Sequence, residues 1–582
     1  MIIDLIEIKE KYYPDFLKGY PERLIRLFYF IIGKVLHLNK VNDFLEMHRE
    51  KRSFAFIDEV LEFTDFSYIV SKKDRDKIPS EGRVIIIANH PLGGLDGCIL
   101  LKLISEVRTD VKIIVNEIVD VIDNLSALFL PYNINEAKIQ KNNIKQIADS
   151  LLNEEAVIIF PAGEVSRPSL KGIKDIKWHK GVLYLSRKFR APVLPVSIKA
   201  RNSFLFYAAS ILNKKFSTIL LPHELLNKAG KSAFLKIGDP ISSEAFSSKY
   251  RSDKLHVKLL KKHLFKIGKN KKGIFRTDKN IVHPVDMKIL KKQIESGELL
   301  GETGDKKLLY LINYKTSPEA VTEIARLREI TFRKVGEGTG KKMDTDKFDR
   351  SYRHIVLWDA EDLDIAGSYR IANCNEILSE YGINGLYTST LFGFTAEFIN
   401  DINISVELGR SFIQAKYWNT NALDSLWQGI GLYLNKLGNV RYLFGAVSIS
   451  NKYPDEAKSL IVYYYEKWFG TDRPPVFSKN KYIIPPKAEQ NLHSVFIGNE
   501  YKEDFQILKK LLKNFGLSVP VLFKQYSELC EPGGVSFYDF NIDGDFQSCV
   551  DGFIFVRLNL LKESKKKRYI YSGEEFVIED DF

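Results

Sequence analysis

Two polar clusters, each following an apolar run, have the residue types of sites that move protons. The first is Asn89-His90-Pro-Leu-Gly-Gly-Leu-Asp96-Gly97, directly after Arg83-Val-Ile-Ile-Ile-Ala. A histidine leaving a strand end, with an aspartate returned toward it by a Gly-Gly turn, suits general-base catalysis. The carboxylate accepts from one ring nitrogen and fixes the tautomer, while the other nitrogen takes a proton from an attacking hydroxyl. The chain has no Gly-x-Ser-x-Gly elbow to supply a serine, so that hydroxyl belongs to the substrate. The second cluster is Phe160-Pro-Ala-Gly163-Glu164-Val-Ser166-Arg167. Gly163 lets backbone N–H groups approach a ligand, and Glu164, Ser166 and Arg167 are suited to a polar acceptor headgroup.

The C-terminal half carries a more scattered set. Arg328 and Phe332 lie on one predicted helix, Asp346-Lys-Phe-Asp349 in a loop, Arg370 after Gly367-Ser-Tyr, and Glu407-Leu-Gly-Arg410 in a predicted strand. Each alone reads as an ordinary surface arginine, loop acid pair or strand-edge ion pair. Their order along the chain gives them meaning.

These residues need scaffolds. A chain of 582 residues exceeds one hydrophobic core, and about 150 residues per domain gives two to four units. In the first region apolar runs at 83–89, 111–115, 156–160 and 192–198 alternate with helical patterns at 136–152 and 180–189. This alternation predicts a sheet with parallel pairs and helical cover. In the second, a helix over 318–335 precedes strands at 354–358, 365–371, 406–413 and 442–449, with helices at 422–437 and 455–468. The Lys-, Gly- and Asp-rich stretch around 269–307 marks the boundary. The expected fold class is α/β with two domains: 1–275 (motif core 80–245), a linker over 276–305, and 306–582.

Composition narrows the partners. The net charge of +12 suits a polyanion, an anionic membrane or an acidic carrier protein. No helix-turn-helix, zinc-finger or RNP-type pattern favours nucleic acid. The four cysteines form no C-x-x-C pair, which argues against a disulfide framework or a cysteine zinc site and fits a reducing cytoplasm. The apolar run 27–33 is far shorter than the roughly 20 residues of a spanning helix. The start, Met1–Glu7, lacks the basic region of a signal peptide. The stretch Tyr20–Leu38 reads either as a basic amphipathic helix for a membrane surface or as an ordinary packing helix. The run Lys565–Arg568 reads as a solvated loop or a membrane-facing edge.

The first two clusters resemble the glycerophospholipid acyltransferase family, with its Asn-His-x4-Asp and later Phe-Pro-Glu-Gly-x-x-Ser signatures, over about 80–245. The resemblance implies His90 as base, Asp96 as its partner, and Gly163, Glu164, Ser166 and Arg167 in the acceptor site. This chain departs from the pattern in having five residues between His90 and Asp96, and Ala162 where the family has glutamate. It also lacks an evident arginine block for glycerol phosphate, which points to an acceptor without phosphate.

The C-terminal set resembles the acyl-homoserine-lactone synthases and, more closely, the N-acyltransferases that make lyso-ornithine lipid, both of the GNAT superfamily, over about 306–475. This implies that Arg328, Phe332, Asp346, Asp349 and Arg370 surround the acceptor amine, and that Glu407 and Arg410 are catalytic. An ammonium must lose a proton before it attacks a thioester, and Glu407 is the residue expected to accept it. Leu426-Trp-Gln-Gly429-Ile-Gly431 resembles the GNAT pyrophosphate loop without its first polar residue. Gly429 and Gly431 are accordingly expected to hold pantetheine phosphates on backbone N–H groups, and the incomplete motif favours acyl carrier protein over coenzyme A.

Together the two resemblances imply a fused enzyme of ornithine or glycine lipid synthesis. The second domain would N-acylate an amino acid with a 3-hydroxyacyl thioester, and the first would O-acylate the 3-hydroxyl. The alternative is a phospholipid lysoacyltransferase with a degenerate GNAT module. No bound cofactor or metal is expected. The expected partners are acyl carrier protein and an anionic membrane surface, with a cytoplasmic location at the inner face of the cytoplasmic membrane.

Overall fold

The computed structural model describes residues 21–116, 122–132, 137–169, 172–212, 220–246 and 252–570. The segment Met1–Glu7 and residues Tyr20 and Glu136, named above, lie outside them. The chain divides into two units, Met1–His283 and Pro284–Phe582.

The first unit is built on strands β1 (Phe66–Ile69), β2 (Val84–Ala88), β3 (Val111–Asn116), β4 (Phe129–Tyr132), β5 (Ala156–Ile159), β6 (Val193–Lys199) and β7 (Lys231–Ile237). They form one sheet in the order β1-β7-β6-β2-β5-β3-β4, parallel except where β6 meets β7. The central strands are apolar without alternation because both faces of the sheet are covered. Val84, Ile86 and Ala88 join one core and Ile85 and Ile87 the other. Helix α1 (Glu22–Val35) buries none of its residues. Helix α2 (Gly94–Ser105) covers one face through Leu95 and Ile99. Helix α3 (Asp253–Ile267) covers the other through Val257, Leu260 and Leu264. Because β2 and β5 are parallel neighbours, the clusters at His90 and Gly163 leave the same edge of the sheet. Carboxyl ends of parallel strands are where α/β sheets bind ligands.

In the second unit, helix α4 (Met287–Glu295) leads into strands β8 (Glu298–Glu302) and β9 (Leu308–Asn313), then α5 (Pro318–Val335), β10 (Arg353–Asp359), β11 (Asp364–Asn373), β12 (Phe392–Phe394), β13 (Ser405–Ile413), α6 (Ala422–Leu437), β14 (Tyr442–Ile449), α7 (Asp455–Phe469), β15 (Val476–Ser478), β16 (Val535–Asp543), β17 (Cys549–Arg557) and α8 (Glu563–Tyr569). The main sheet runs β16-β17-β14-β13-β11-β10-β9-β8, while β12 and β15 pair separately. All neighbours in the main sheet are antiparallel except β13 and β14, which run parallel. Their pairing ends at Leu408 with Gly445, after which β13 follows β11 and β14 follows β17.

Two segments differ from expectation. The stretch read as a linker holds α4 and β8. Helix α4 buries only Leu290 and Ile294, so its sequence is as polar as a linker. The run Lys565–Arg568 is helical and fastened by Arg568 to Asp424 at 2.9 Å. The amphipathic stretch that starts at Tyr20 is α1 over its described part, with a second helix beginning at Leu38.

Buried His263 of α3 secures the chain as it leaves this helix. Its Nδ1 accepts from the N–H groups of Ile274 (2.8 Å) and Phe275 (3.1 Å). Burial, and then Lys266, pull its pKa down to about 4. The neutral ring is therefore the folded form. Its contribution is complete above the unfolded value of about 6.5 and is lost as pH falls toward 4, at about 1.4 kcal/mol per pH unit at most. Urea midpoints measured between about pH 7 and pH 4 should fall accordingly. His263→Gln, which keeps an acceptor without a titratable ring, should flatten that slope.

Candidate active sites

The loop after β2 turns His90 and Asp96 toward each other. Nδ1 of His90 lies 2.9 Å from Asp96 Oδ2, which also accepts from the N–H groups of Leu92 (2.7 Å) and Gly93 (3.1 Å). Asp96 thus closes the first turn of α2 and orients the imidazole at once. Gly93 makes the turn before α2: its φ of +90° is a conformation L-residues rarely adopt. Asn89 extends the sheet with its amide, donating to Ile198 O and accepting from Ile198 N, each at 2.8 Å. Asn202 donates to Pro91 O at 3.1 Å. The ring of His90 stacks on Phe160 at 4.0 Å and keeps 18% side-chain exposure, while Asp96 is sealed. Burial raises the Asp96 carboxyl above its usual range, against the His90 contact. The arrangement is a histidine fixed on one nitrogen at an accessible strand end, the geometry a general base requires.

The second cluster joins the first through a residue absent from the sequence reading, Asp175. Its Oδ1 accepts from the backbone N–H of His90 at 3.3 Å and from the Ser166 hydroxyl, and its Oδ2 from Trp178 Nε1 at 2.8 Å. Ser166 also donates its N–H to His90 O at 2.7 Å. The hydroxyl of Ser166 is therefore engaged within the protein. Arg167 Nε lies 3.7 Å from Glu164 and its Nη1 donates to Ser210 at 2.7 Å. Gly163 takes a φ of +65° at the turn. In this sequence Asp175 resembles any loop acid, which is why spacing did not find it.

In the second unit the scattered set closes into a network. Asp349 accepts from Arg328 Nη1 and Nη2, each at 2.9 Å, and from Arg370 Nη1 at 3.1 Å. Asp346 accepts from Arg370 at 2.6 Å. Asp344, not foreseen, pairs with Arg328 at 3.0 Å and with Arg410 at 3.4 Å. Burial alone would raise the Asp349 carboxyl, but Arg328 and Arg370 outweigh it and hold it far below the usual range. Phe332 packs on Phe546, and the Arg410 guanidinium lies 4.6 Å from the rings of both Tyr387 and Phe546.

Arg410 occupies a β-bulge. Opposite the step from Ser368 to Arg370, β13 advances from Phe412 to Gly409, one residue more than its partner. Arg410 takes the left-handed φ of +50° there, which is uncommon for a non-glycine residue. The bulge lies just past the point where β13 and β14 part. Glu407 sits below it and is fully engaged. Oε2 accepts from the Tyr352 hydroxyl and from Tyr387 N (3.2 Å), and Oε1 from Thr388 N at 2.7 Å.

The expectation for Gly429 and Gly431 is corrected. Both lie within α6, beyond its first turn, so their N–H groups serve the helix. A Cβ on Gly429 would sit 2.8 Å from Ile355, and one on Gly431 1.7 Å from the carbonyl oxygen of Tyr569. The glycines let α6 settle on the sheet and let α8 cross it closely. The start of α6 follows Asn421, where Ala422 N–H donates to Thr420 Oγ1 at 3.2 Å. Glycine spacing alone does not separate a phosphate loop from a helix crossing, and the incomplete motif has no bearing on the donor.

Residues 16–271 match the family model described as Acyltransferase, and residues 327–428 the one described as Acetyltransferase (GNAT) domain. The chain is 32% identical over 311 residues to the glycine N(alpha)-acyltransferase of Phocaeicola vulgatus, covering 50% of this chain and 93% of that protein. It is 29% identical over 243 residues to the lyso-glycine lipid O-acyltransferase of Bacteroides thetaiotaomicron, covering 40% of this chain and 84% of that protein. The crystal structure of the 1-acyl-sn-glycerophosphate acyltransferase of Thermotoga maritima aligns with a TM-score of 0.25 at 20% identity, covering 42% of this chain and 95% of that one.

His90→Ala should lower acyl transfer to a hydroxyl acceptor about 10²–10⁴-fold, the usual loss on removing a general base. Transfer to an amine should be unchanged. Parallel assays of the two transfers on one preparation check this, and loss of both in a folded variant would show that the sites are not independent.

Proposed function

The chain belongs to the glycine N(alpha)-acyltransferase family and carries an acyltransferase domain beside its GNAT domain, and we propose that this bifunctional acyltransferase builds a two-chain aminolipid in two steps. The second unit transfers a 3-hydroxyacyl group from a thioester to the α-amine of an amino acid, glycine or ornithine. The first unit then esterifies the 3-hydroxyl with a second acyl group. The observation that carries this reading is that each unit has its own assembled constellation. One is the His90–Asp96 pair at 2.9 Å, and the other is the Arg410 bulge beside the parting strands. Of the three arginines in this network, Arg410 keeps 12% side-chain exposure while Arg328 and Arg370 keep 1%. Arg410 is therefore the one suited to an acceptor carboxylate.

No helix among the described residues is long and apolar enough to cross a membrane, and one exposed surface supports a membrane-side setting. Helix α1 exposes Leu24, Leu27, Phe30 and Ile31 beside Arg23, Arg26 and Lys34, and Phe204 and Leu205 are exposed on the same unit. An amphipathic basic surface of this kind suits the anionic inner leaflet, where a one-chain intermediate resides. The net charge of +12 supports acidic acyl carrier protein as the donor's carrier.

Expressing the Arg410→Ala variant in a host without aminolipids should give neither the one-chain nor the two-chain lipid by mass spectrometry. Supplying synthetic N-(3-hydroxyacyl) amino acid should restore the two-chain product through the first unit. If that rescue fails with a stable variant, the order of steps is wrong; if lysophosphatidate is the better acceptor, the first unit is a phospholipid enzyme.

With matched 3-hydroxyacyl chains, carrier-protein thioesters should give the higher kcat/KM in the second unit. That advantage should fall between about 50 and 300 mM salt as screening shortens the reach of surface charges. Equal, salt-insensitive values for coenzyme A thioesters would remove the carrier-protein reading.

A further inference from the structure

Beyond the arginine network, a second set of carboxyls meets Arg410 from the other side. Strand β14 remains paired to β17 after leaving β13, with Ser448 opposite Asp551. The Ser448 hydroxyl donates to Glu337 Oε2 at 2.9 Å. Asp543 Oδ2 accepts from the Tyr387 hydroxyl at 3.4 Å, and that hydroxyl also receives Arg410 Nη1 at 3.3 Å. Glu337, Asp543 and Asp551 keep only 9%, 6% and 4% exposure. Among the described residues the Asp551 carboxyl makes one hydrogen bond, from the Cys549 thiol at 3.6 Å. A buried carboxyl with so weak a partner is costly unless something else comes to it. The positive groups acting on this set are Arg410, already shared with Asp344 and Asp346 at 3.4 and 3.6 Å, and Lys452 near Glu337. No group of three or more His, Cys, Asp or Glu among the described residues has the geometry to hold a metal ion. The charge pattern, acids on one side and an arginine on the other, is complementary to an α-amino acid: ammonium toward the acids, carboxylate toward Arg410.

We propose that Asp551, with Glu337 beside it, binds the acceptor ammonium and takes its proton, and that Glu407 is a positioning residue for the Tyr387 loop. The proposal rests on the N-acylation reading above. The ammonium gives one proton to the Asp551 carboxylate. The freed lone pair attacks the thioester carbonyl carbon, the C–N bond forms, and the C–S bond breaks to release a thiolate. The second proton of the nitrogen neutralises that thiolate, leaving amide and thiol, and Asp551 returns its proton to solvent. Burial, then Asp543 and Glu337, push the Asp551 carboxyl up to about 8, with Arg410 opposing. That brings its basicity close to that of an amine, where proton transfer is efficient. Glu407 lacks this freedom, since both its oxygens already accept hydrogen bonds.

The test uses the full chain, glycine and a 3-hydroxyacyl thioester, with kcat/KM followed from about pH 6 to 10. The wild type should show an inflection near 8. Asp551→Asn should lose that inflection and about 10²–10⁴-fold in kcat, with the KM for the thioester unchanged, and Asp551→Glu should recover part of the rate. A circular dichroism spectrum matching wild type shows that the second unit of the variant is folded, and O-acylation of synthetic N-(3-hydroxyacyl)glycine shows that the first unit is intact. Folding holds Asp551 protonated to a higher pH than in the unfolded chain, so wild-type stability declines as pH rises from about 4 through 8. The Asn variant should therefore melt no lower than wild type at high pH. If the wild type acylates no amino acid, the N-acylation reading fails. If it does, and Asp551→Asn keeps either its rate or the inflection, this proposal is overturned.

Discussion

Asp349, at 2% exposure, accepts from two guanidiniums, Arg328 of α5 and Arg370 of β11. A buried carboxylate without such partners, or two buried guanidiniums without the carboxylate, costs about 3–5 kcal/mol. The helix, the loop at 344–349 and the strand must therefore assemble together. The rest of the second site depends on this assembly. With Arg370 fixed, Asp346 is fixed, and Asp344 and Asp346 face the bulge that carries Arg410. The left-handed backbone at Arg410 is disfavoured by about 1–2 kcal/mol, and these ion pairs with the Tyr387 and Phe546 rings offset it.

The first unit meets the same problem with neutral partners. His90 must be aimed without being buried, and three side chains aim it. Asn89 ties the strand end to β6, Asp96 takes Nδ1, and Asp175 takes the backbone N–H. Asp96 and Asp175 also accept from the Leu92, Gly93 and Trp178 N–H groups and the Ser166 hydroxyl, so neither needs a cation. With Nδ1 held by Asp96, the proposed O-acylation would use the opposite ring nitrogen as proton acceptor.

The sequence carried the scaffold clearly because its strands are short apolar runs covered on both faces. The strand Tyr442–Ile449 and the helices Pro318–Val335 and Ala422–Leu437 follow the expected bounds residue for residue. His90, Asp96, Arg328, Asp346, Asp349 and Arg370 were also visible, through order and spacing. Other features were hidden for physical reasons. Gly429 and Gly431 mimic a phosphate loop because close helix packing and backbone approach to a ligand both require the absence of a Cβ. Glu337 lies far along the chain from Asp543 and Asp551, which stand on successive strands, and Asp551 is set in an apolar strand run that no catalytic motif marks. Only the pairing of β14 with β17 and of β17 with β16 brings them together. Asp175 is of the same kind.

The two halves of the second site divide their work by electrostatics. Beside Arg328 and Arg370 a carboxyl is held ionised at any ordinary pH, as Asp346 and Asp349 are. Such a carboxylate is an excellent structural anchor and a poor base, because it gives up its affinity for a proton to the guanidiniums. A group that must take a proton from an ammonium has to stand where cations are scarce and like charges crowd it. In this unit that place is the far side of Arg410, where Asp551 has Asp543 and Glu337 as neighbours and burial on every side. Arg410 separates the two regions: its charge completes the anchoring network on one side and moderates the acids on the other. A single guanidinium on a bulged strand can thus grip an acceptor's carboxylate without abolishing the basicity of the group that must deprotonate its amine.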